Sequence, residues 1–587
     1  MRKIRIKDIF DFTTPIIFIY IIIYLGWSKL HYKIFTIEFL IGIISFLSIL
    51  HIIIFFGKQN TSSYKSMTFL SFIMLCIPIL FHIFLSFFCK KENHFYDEKI
   101  YLFISLILHM LVRITYFVRI IYIKIHNPIF IFITSFIFLI FLGSILLMLP
   151  ASTTEKNISF IDALFTSTSA VCVTGLVVLD TSKDFTHLGK IIILILIELG
   201  GLGILTITSF ISYFFRNGFS FKESVFISNF LNMKTTNNVL SFAVKVVLLT
   251  ILLEGLGTVL IYFSIKNSNN LKIEINNPIF FSIFHSISAF CNGGFSTMSK
   301  GLYSYSVRFN YLFHLIIALL LILGGIGFNI LFNFFTYIWL ILKKYFYKIF
   351  RNQNIRNPVH IVTLNTQIVV ITTFFFLFFG TIFYYISEYS NAISEHSSFF
   401  GKLVISFFSS AASRTAGFHV MDMNTMNPIT ILVTIFFMWV GASPASTGGG
   451  IKTSTFALSL MNIFSLSKGK YRLEIKKREI SYEDIRLSFS IIMLSLIVNY
   501  ISILIILFLD PKKDILSISF EVFSAFSTTG LSLGITPYLS NGSKFVLIFL
   551  MLLGRIGIFN VMISLLRKNR IHYHHYYKFP KGNIIIN

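Results

Sequence analysis

Apolar runs about 20 residues long, the length a helix needs to cross a bilayer, recur along almost all of this 587-residue chain. No other feature limits the fold so severely. In hydrocarbon every backbone amide must find its partner inside the protein, so such runs become helices packed side by side. Mean hydropathy is +0.81 and only 12% of residues are charged, where a soluble chain carries about twice that share. The expected class is an all-α polytopic membrane protein. A net charge of +25 does not point to nucleic acid, because many basic residues fall in short loops between apolar runs and no basic domain stands apart. The four cysteines (Cys76, Cys89, Cys172 and Cys291) form no CxxC pattern and imply no disulfide framework. The N-terminus has a basic head and an apolar run without a small-residue cleavage site. It reads as a retained first span.

Four apolar segments lead, at 15–27, 34–56, 67–88 and 101–123, and eight stronger ones follow, starting near Pro128, Gly189, Val239, Tyr311, Gln367, Pro428, Leu487 and Lys544. Between the members of each later pair lies a shorter stretch ending in a polar turn. Stacked by their glycines, these read SAVCVTGL (169–176), SAFCNGGF (288–295), AASRTAGF (411–418) and SAFSTTGL (524–531), with alanine five residues before each glycine. The second span of each pair repeats as well: Gly200-Gly201-Leu202-Gly203, Gly324-Gly325-Ile326-Gly327 and Gly554-Arg555-Ile556-Gly557 share a template, which the third pair replaces with Gly441-Ala442-Ser443-Pro444. An internal repeat of this size sets the architecture. The sequence therefore predicts four span–short helix–span repeats around a pseudo-fourfold axis, behind four extra N-terminal spans. Loops rich in lysine and arginine follow the second spans (Lys343, Lys344, Lys348, Arg351 and Arg356; 468–478), and Arg567, Lys568 and Arg570 open the tail. The positive-inside rule puts these in the cytoplasm with both termini, and the four turns outside.

Non-helical backbone at membrane depth survives only when buried in protein or lining water. Four such turns can surround one axis. Their glycines allow carbonyls to face inward, and a ring of carbonyl oxygens replaces the hydration shell of a bare alkali cation. A preceding short helix adds its partially negative C-terminal end. The candidate ion-binding residues are Val173, Thr174 and Gly175; Asn292, Gly293 and Gly294; Thr415, Ala416 and Gly417; and Thr528, Thr529 and Gly530.

Over about 125–570 these motifs resemble the four filter loops of the Trk/Ktr/HKT potassium transporters, nearest the translocating subunit of the Ktr branch. In that family a glycine in all four loops goes with potassium preference, and serine in the first loop with sodium. The resemblance implies potassium uptake across the cytoplasmic (inner) membrane, potassium at the filter residues as the transported ion, with sodium as a second candidate, and no organic cofactor. It also implies a homodimer and a cytosolic nucleotide-binding regulatory ring of RCK type. GASPASTGGGIKTST (441–455) resembles the family's intramembrane gating loop, which gives gating roles to Gly448, Gly449, Gly450 and Lys452, and Arg555 matches an arginine that approaches that loop. The alternative for the loop is a plain kink, and for Arg555 an ion pair serving stability alone. Ile558 and Ala442 depart from the family's common proline and glycine. The implied divisions are 1–126, an N-terminal extension; 127–216 and 217–340, two pore repeats; 341–485, a third with the gating loop; and 486–587, a fourth with the tail. The alternative mechanism is sodium- or proton-coupled symport through the same filter.

Glu198 and Glu254 are membrane-depth carboxylates, fit for an ion relay or for pairing between helices. Cys172 and Cys291 read as small polarisable filler. His572, His574 and His575 suit a partner-contacting tail better than a metal site. Arg113, Arg119 and Lys124 do not recur at every third position, so the leading spans read as scaffold rather than voltage sensor. Catalysis would need convergent acidic or histidine groups in one pocket; here polarity gathers at four uncharged turns, and no enzyme is expected.

Overall fold

The computed structural model describes residues 37–56, most of 68–80, scattered positions between 101 and 113, then 128–154, 158–203, 206, 239–266, 277–351 and 362–566 except 471 and 477. The N-terminal basic residues Arg2, Lys3, Arg5 and Lys7, the segment 15–27, Arg119, Lys124, Arg356, Arg567, Lys568, Arg570 and the histidines at 572, 574 and 575 lie outside the described residues. Arg113 is fully buried.

The fold is predominantly helical. In the leading part α1 is Ile37–Phe56. Four helix triplets follow, each an outer helix, a short helix and an inner helix. The outer ones are α2 (Pro128–Leu147), α5 (Val239–Lys266), α9 (Leu364–Ser387) and α13 (Tyr482–Leu509). The short ones are α3 (Phe160–Val171), α6 (Pro278–Phe290), α10 (Phe399–Ala412) and α14 (Ile515–Ser527). The inner ones are α4 (His187–Leu202), α7 (Tyr311–Ile326) continued by α8 (Phe328–Arg351), α11 (Pro428–Trp439) continued by α12 (Thr453–Ser467), and α15 (Asn541–Ile556) continued by α16 (Ile558–Leu566). A two-residue-per-strand hairpin, Glu474–Ile475 with Arg478–Glu479, precedes α13.

Local chemistry starts the short helices. Ser159 accepts the Asp162 amide, Ser398 accepts that of Gly401, Asp514 accepts that of Leu516, and α6 begins on Pro278. These caps satisfy first-turn donors that have no partner inside the helix. At 12 to 14 residues these helices are too short to span a bilayer. Their buried serines reach across to the outer helices: Ser167 donates to the Ile140 carbonyl at 2.7 Å, Ser286 to that of Glu254 at 2.7 Å and Ser410 to that of Phe376 at 3.3 Å.

Each short helix packs on its own outer helix. In turn, α4 packs on α6, α7 on α10, α11 on α14 and α15 on α3, so every inner helix leans on the next triplet and the last returns to the first. In the first, second and fourth triplets the inner helix also packs on the short helix of its own triplet, and this closer approach explains one glycine of the sequence template. A Cβ on Gly200, Gly324 or Gly554 would overlap the carbonyl of Val171, Phe290 or Phe526 at the end of a short helix.

The last glycine of the template has a different task. Gly203, Gly327 and Gly557 have φ of 75°, 95° and 90° and end their helices, a left-handed conformation that only glycine adopts freely. At Gly327 the chain bends by 105° between α7 and α8. The sequence suggested a break only in the third triplet. One-residue breaks also occur in the second and fourth inner helices, at Gly327 and Gly557, and α4 ends at Gly203.

Candidate functional site

The four turns after the short helices share one backbone signature. φ is positive two residues before the glycine, at Val173 (56°), Asn292 (60°), Thr415 (70°) and Thr528 (51°), and again at Gly175 (90°), Gly294 (69°), Gly417 (72°) and Gly530 (84°). Asparagine tolerates such angles, but β-branched valine and threonine are strained there. Strain of this kind persists where the surrounding structure over-determines it. Three of the turns close alike. Val173, Asn292 and Thr528 amides donate to the Ala170, Ala289 and Ala525 carbonyls at 3.0–3.1 Å, while Thr174, Gly293 and Thr529 donate to Ser169, Ser288 and Ser524 at 2.6–2.9 Å. This is the Schellman closure of a helix C-terminus.

The third turn is one residue tighter. There Arg414 donates to Ala411 and Ala416 to Ala412, so the alanine that aligns in sequence occupies a different place in the hydrogen-bonding scheme.

The glycines meet edge to edge. A Cβ on Gly175 would stand 2.8 Å from the Gly293 carbonyl oxygen, one on Gly294 3.0 Å from that of Ala416, and one on Gly417 2.7 Å from that of Thr529. One on Gly530 would overlap the Thr174 carbonyl. Each glycine thus lies against the carbonyl that precedes the next, and the fourth returns to the first. Twelve candidate residues named from sequence are brought together here. The hydroxyls of Thr174 and Thr415 are buried and have no hydrogen-bond partner among the described residues, leaving two more oxygens at this point.

On one side of the glycines opens a cavity of about 630 Å³, floored by all four and walled by the segments that follow them, including Asp180, Asp184, Asp422 and Lys300. On the other side lies loop 441–452. Gly449 donates its amide to the Thr528 hydroxyl at 2.9 Å, and a Cβ on Gly448 would overlap the Thr415 hydroxyl. The loop therefore rests directly against the strained residues of the third and fourth turns. Gly450 has φ of 70° and backs onto Ser527, and Lys452 donates to the Gly448 carbonyl at 2.7 Å. Arg555 extends from α15 to the carbonyls of Thr447, Gly200 and Gly201. Its partners here are carbonyls, joining the loop to the end of α4. Sequence reasoning missed Thr447, which also reaches the Phe290 carbonyl; nothing in its local pattern sets it apart.

Glu198 on α4 and Glu254 on α5 face each other across Cys291, whose thiol lies 3.5 Å from one carboxylate and 3.7 Å from the other. Cys291 is thus more than filler: it contacts both acids. Cys172 is fully buried.

A family model described as TrkH, cation transport protein, matches residues 99–570. The chain belongs to this family. The match takes in the fourth leading segment, upstream of the 125 at which the resemblance was expected to begin. Ktr system potassium uptake protein B of Bacillus subtilis is 33% identical over 451 residues, covering 77% of this chain and 94% of that protein. Potassium/sodium uptake protein NtpJ of Enterococcus hirae is 33% identical over 466 residues, covering 78% and 97%. The crystal structure of the potassium transporter TrkH from Vibrio parahaemolyticus superposes with a TM-score of 0.59 at 18% identity, covering 89% of this chain and 98% of that one, and so shares the fold. Membership of the TrkH family bears out the resemblance read from the filter motifs.

Proposed function

We propose that this chain carries potassium into the cell through a pore on the axis of its four turns. The observation that carries this reading is the closed circle in which Thr174, Gly293, Ala416 and Thr529 carbonyls each abut a neighbouring glycine. An alkali cation leaving water needs its shell replaced by neutral oxygens, which carbonyls and the Thr174 and Thr415 hydroxyls supply. The C-terminal ends of four short helices add partial negative charge. The cavity beyond the glycines is the outer vestibule, where Asp180, Asp184 and Asp422 raise the local concentration of cations.

Loop 441–452 is the gate. It lies under the third and fourth turns, and Arg555 holds the Thr447 carbonyl in the closed position. Opening requires that the loop exchange these hydrogen bonds for others. Lys452 and the three glycines 448–450 give it the means, since each glycine leaves the backbone unhindered. A cytosolic nucleotide-binding ring supplies the bias, and a homodimer of these chains is the assembled form. These partners follow from the resemblance to the Ktr branch, and the relatives named for a Ktr system support them. No chemical energy is needed, since one charge moving through 100 mV gains about 2.3 kcal/mol.

The relative named for both potassium and sodium favours one second reading, sodium-coupled symport through the same turns. The deciding experiment is rubidium and sodium uptake in a bacterium without potassium systems of its own, comparing the intact chain with Gly175→Ser. Potassium-competed rubidium uptake whose preference over sodium collapses in the variant supports the pore. Uptake unaffected by the substitution overturns it, and rubidium flux that vanishes without sodium selects symport.

A further inference from the structure

Two of the four turns are braced from behind by a polar side chain of their own short helix. Nine residues before Gly530, the buried Glu521 accepts the Ser532 hydroxyl at 2.5 Å, the Leu533 amide at 3.2 Å and the Thr536 hydroxyl at 2.9 Å. Nine residues before Gly294, the buried His285 sets Nδ1 2.9 Å from the Phe281 carbonyl and Nε2 3.0 Å from the Ser296 hydroxyl. Ser532 and Ser296 each stand two residues after their glycine. Each also accepts an amide two residues further on, from Gly534 at 2.9 Å and Met298 at 3.1 Å.

The chemistry of the two braces is the same. A carbonyl only accepts, so Nδ1 of His285 bears the hydrogen, and in the neutral ring Nε2 is left as an acceptor. Imidazole and carboxylate therefore do one job, receiving the serine hydroxyl while that serine receives its own amide. Among the described residues the first and third turns have no such pair. Thr166 turns its hydroxyl to the Asp162 carbonyl and faces Val177 in the alignment, while Phe408 corresponds to His419. The braced turns are the second and fourth, which lie across the circle from each other.

We infer that Glu521–Ser532 and His285–Ser296 are positioning pairs that fix the diameter of the filter across one diagonal and so set its discrimination between potassium and sodium. The smaller ion is refused only if the carbonyls cannot close around it. Two opposite turns tied to their helices through serine supply that resistance. This rests on the pore reading given above.

The test measures the ratio of rubidium to sodium uptake by the full-length chain, co-expressed with a Ktr-type regulatory subunit, at matched amounts in the membrane. Ser532→Ala and Ser296→Ala should each lower the ratio about threefold to tenfold, the worth of a net hydrogen bond, mainly by admitting sodium. Glu521→Ala should do the same, and Glu521→Gln should restore most of it, because an amide oxygen still accepts from Ser532 and Leu533. Thr166→Ala, which breaks only a bond within its own helix, should leave the ratio unchanged. Should Glu521→Ala fail to reach the membrane, the serine variants decide. A ratio unaltered in both serine variants, when Gly175→Ser does lower it, overturns the braces and spares the pore. If Gly175→Ser also leaves the ratio unaltered, the pore reading itself falls.

Discussion

The third triplet and the other three solve one problem differently. In the first, second and fourth, the inner helix passes the turn on a glycine and reaches a second glycine of positive φ, where α4 ends and α7 and α15 break and continue, and the turn closes as a Schellman motif. In the third, the inner helix stops at Trp439 and resumes at Thr453, and its turn is one residue tighter. It also bears Arg414 where the others have Cys172, Cys291 and Ser527, and Ala411 where they have serine. What all four keep is the positive φ at the glycine and two residues before it. The circle therefore constrains only the backbone that faces the axis. Behind it one repeat is free to surrender its symmetry, and the space so released holds the loop.

The largest effect should come from attacking the shared part. Gly530→Ala places a methyl on the Thr174 carbonyl and holds alanine at φ of 84°, where an L-residue is disfavoured by about 1–2 kcal/mol before any clash is counted. Rubidium uptake should fall below background. Uptake near that of the intact chain would mean that the circle is not the conducting path.

The next effect should come from the unshared part. Arg555 makes three charge-assisted hydrogen bonds to carbonyls of the loop and α4, each worth roughly 1.5–3 kcal/mol. Arg555→Ala frees Thr447, so on the proposed gate uptake in cells given no Ktr-type regulatory subunit should rise tenfold or more. Arg555→Lys, with one compact head in place of a fork, should fall between. A drop in uptake at normal membrane levels would instead make Arg555 a structural tie.

Much of this was legible in one sequence, for an identifiable reason. Glycine is nearly obligatory where φ is positive and a neighbour's backbone is in contact, so Gly175, Gly294, Gly417 and Gly530 stand out at constant spacing. Three adjacent glycines after a proline announce the loop just as plainly. The breaks at Gly327 and Gly557 and the helix end at Gly203 were hidden because apolar residues continue on both sides, and glycine in a membrane helix also signals close packing. The tighter third turn was hidden by the alignment itself, which matched Ala412 to alanines with different hydrogen bonds. That Glu198 meets Glu254 belongs to helices of different triplets, and no local pattern records it.

Breaking the inner helices tests whether the shared template needs its last glycine. Gly327→Ala must hold alanine at 95°, with a Cβ 2.6 Å from the Pro444 carbonyl, while Gly203→Ala meets no atom within 4 Å among the described residues and carries the cost of its φ of 75°. Gly327→Ala should therefore lower the unfolding temperature in detergent more than Gly203→Ala does. Equal shifts would show that the bend, not the contact with the loop, is what matters.

The smallest effect concerns the serine that the third triplet lacks. Ser524 accepts the Gly530 amide on its hydroxyl at 3.0 Å, and Ser169 accepts that of Gly175 at 3.0 Å. Ser524→Ala should therefore cost about 1 kcal/mol, read as a lower melting temperature. The reverse change, Ala411→Ser, should gain nothing, within roughly 0.5 kcal/mol, because the tighter turn has shifted the helix by one residue relative to Gly417. A stabilised Ala411→Ser protein would mean that the third turn can adopt the register of its three counterparts, and that its asymmetry is a matter of side chains rather than backbone.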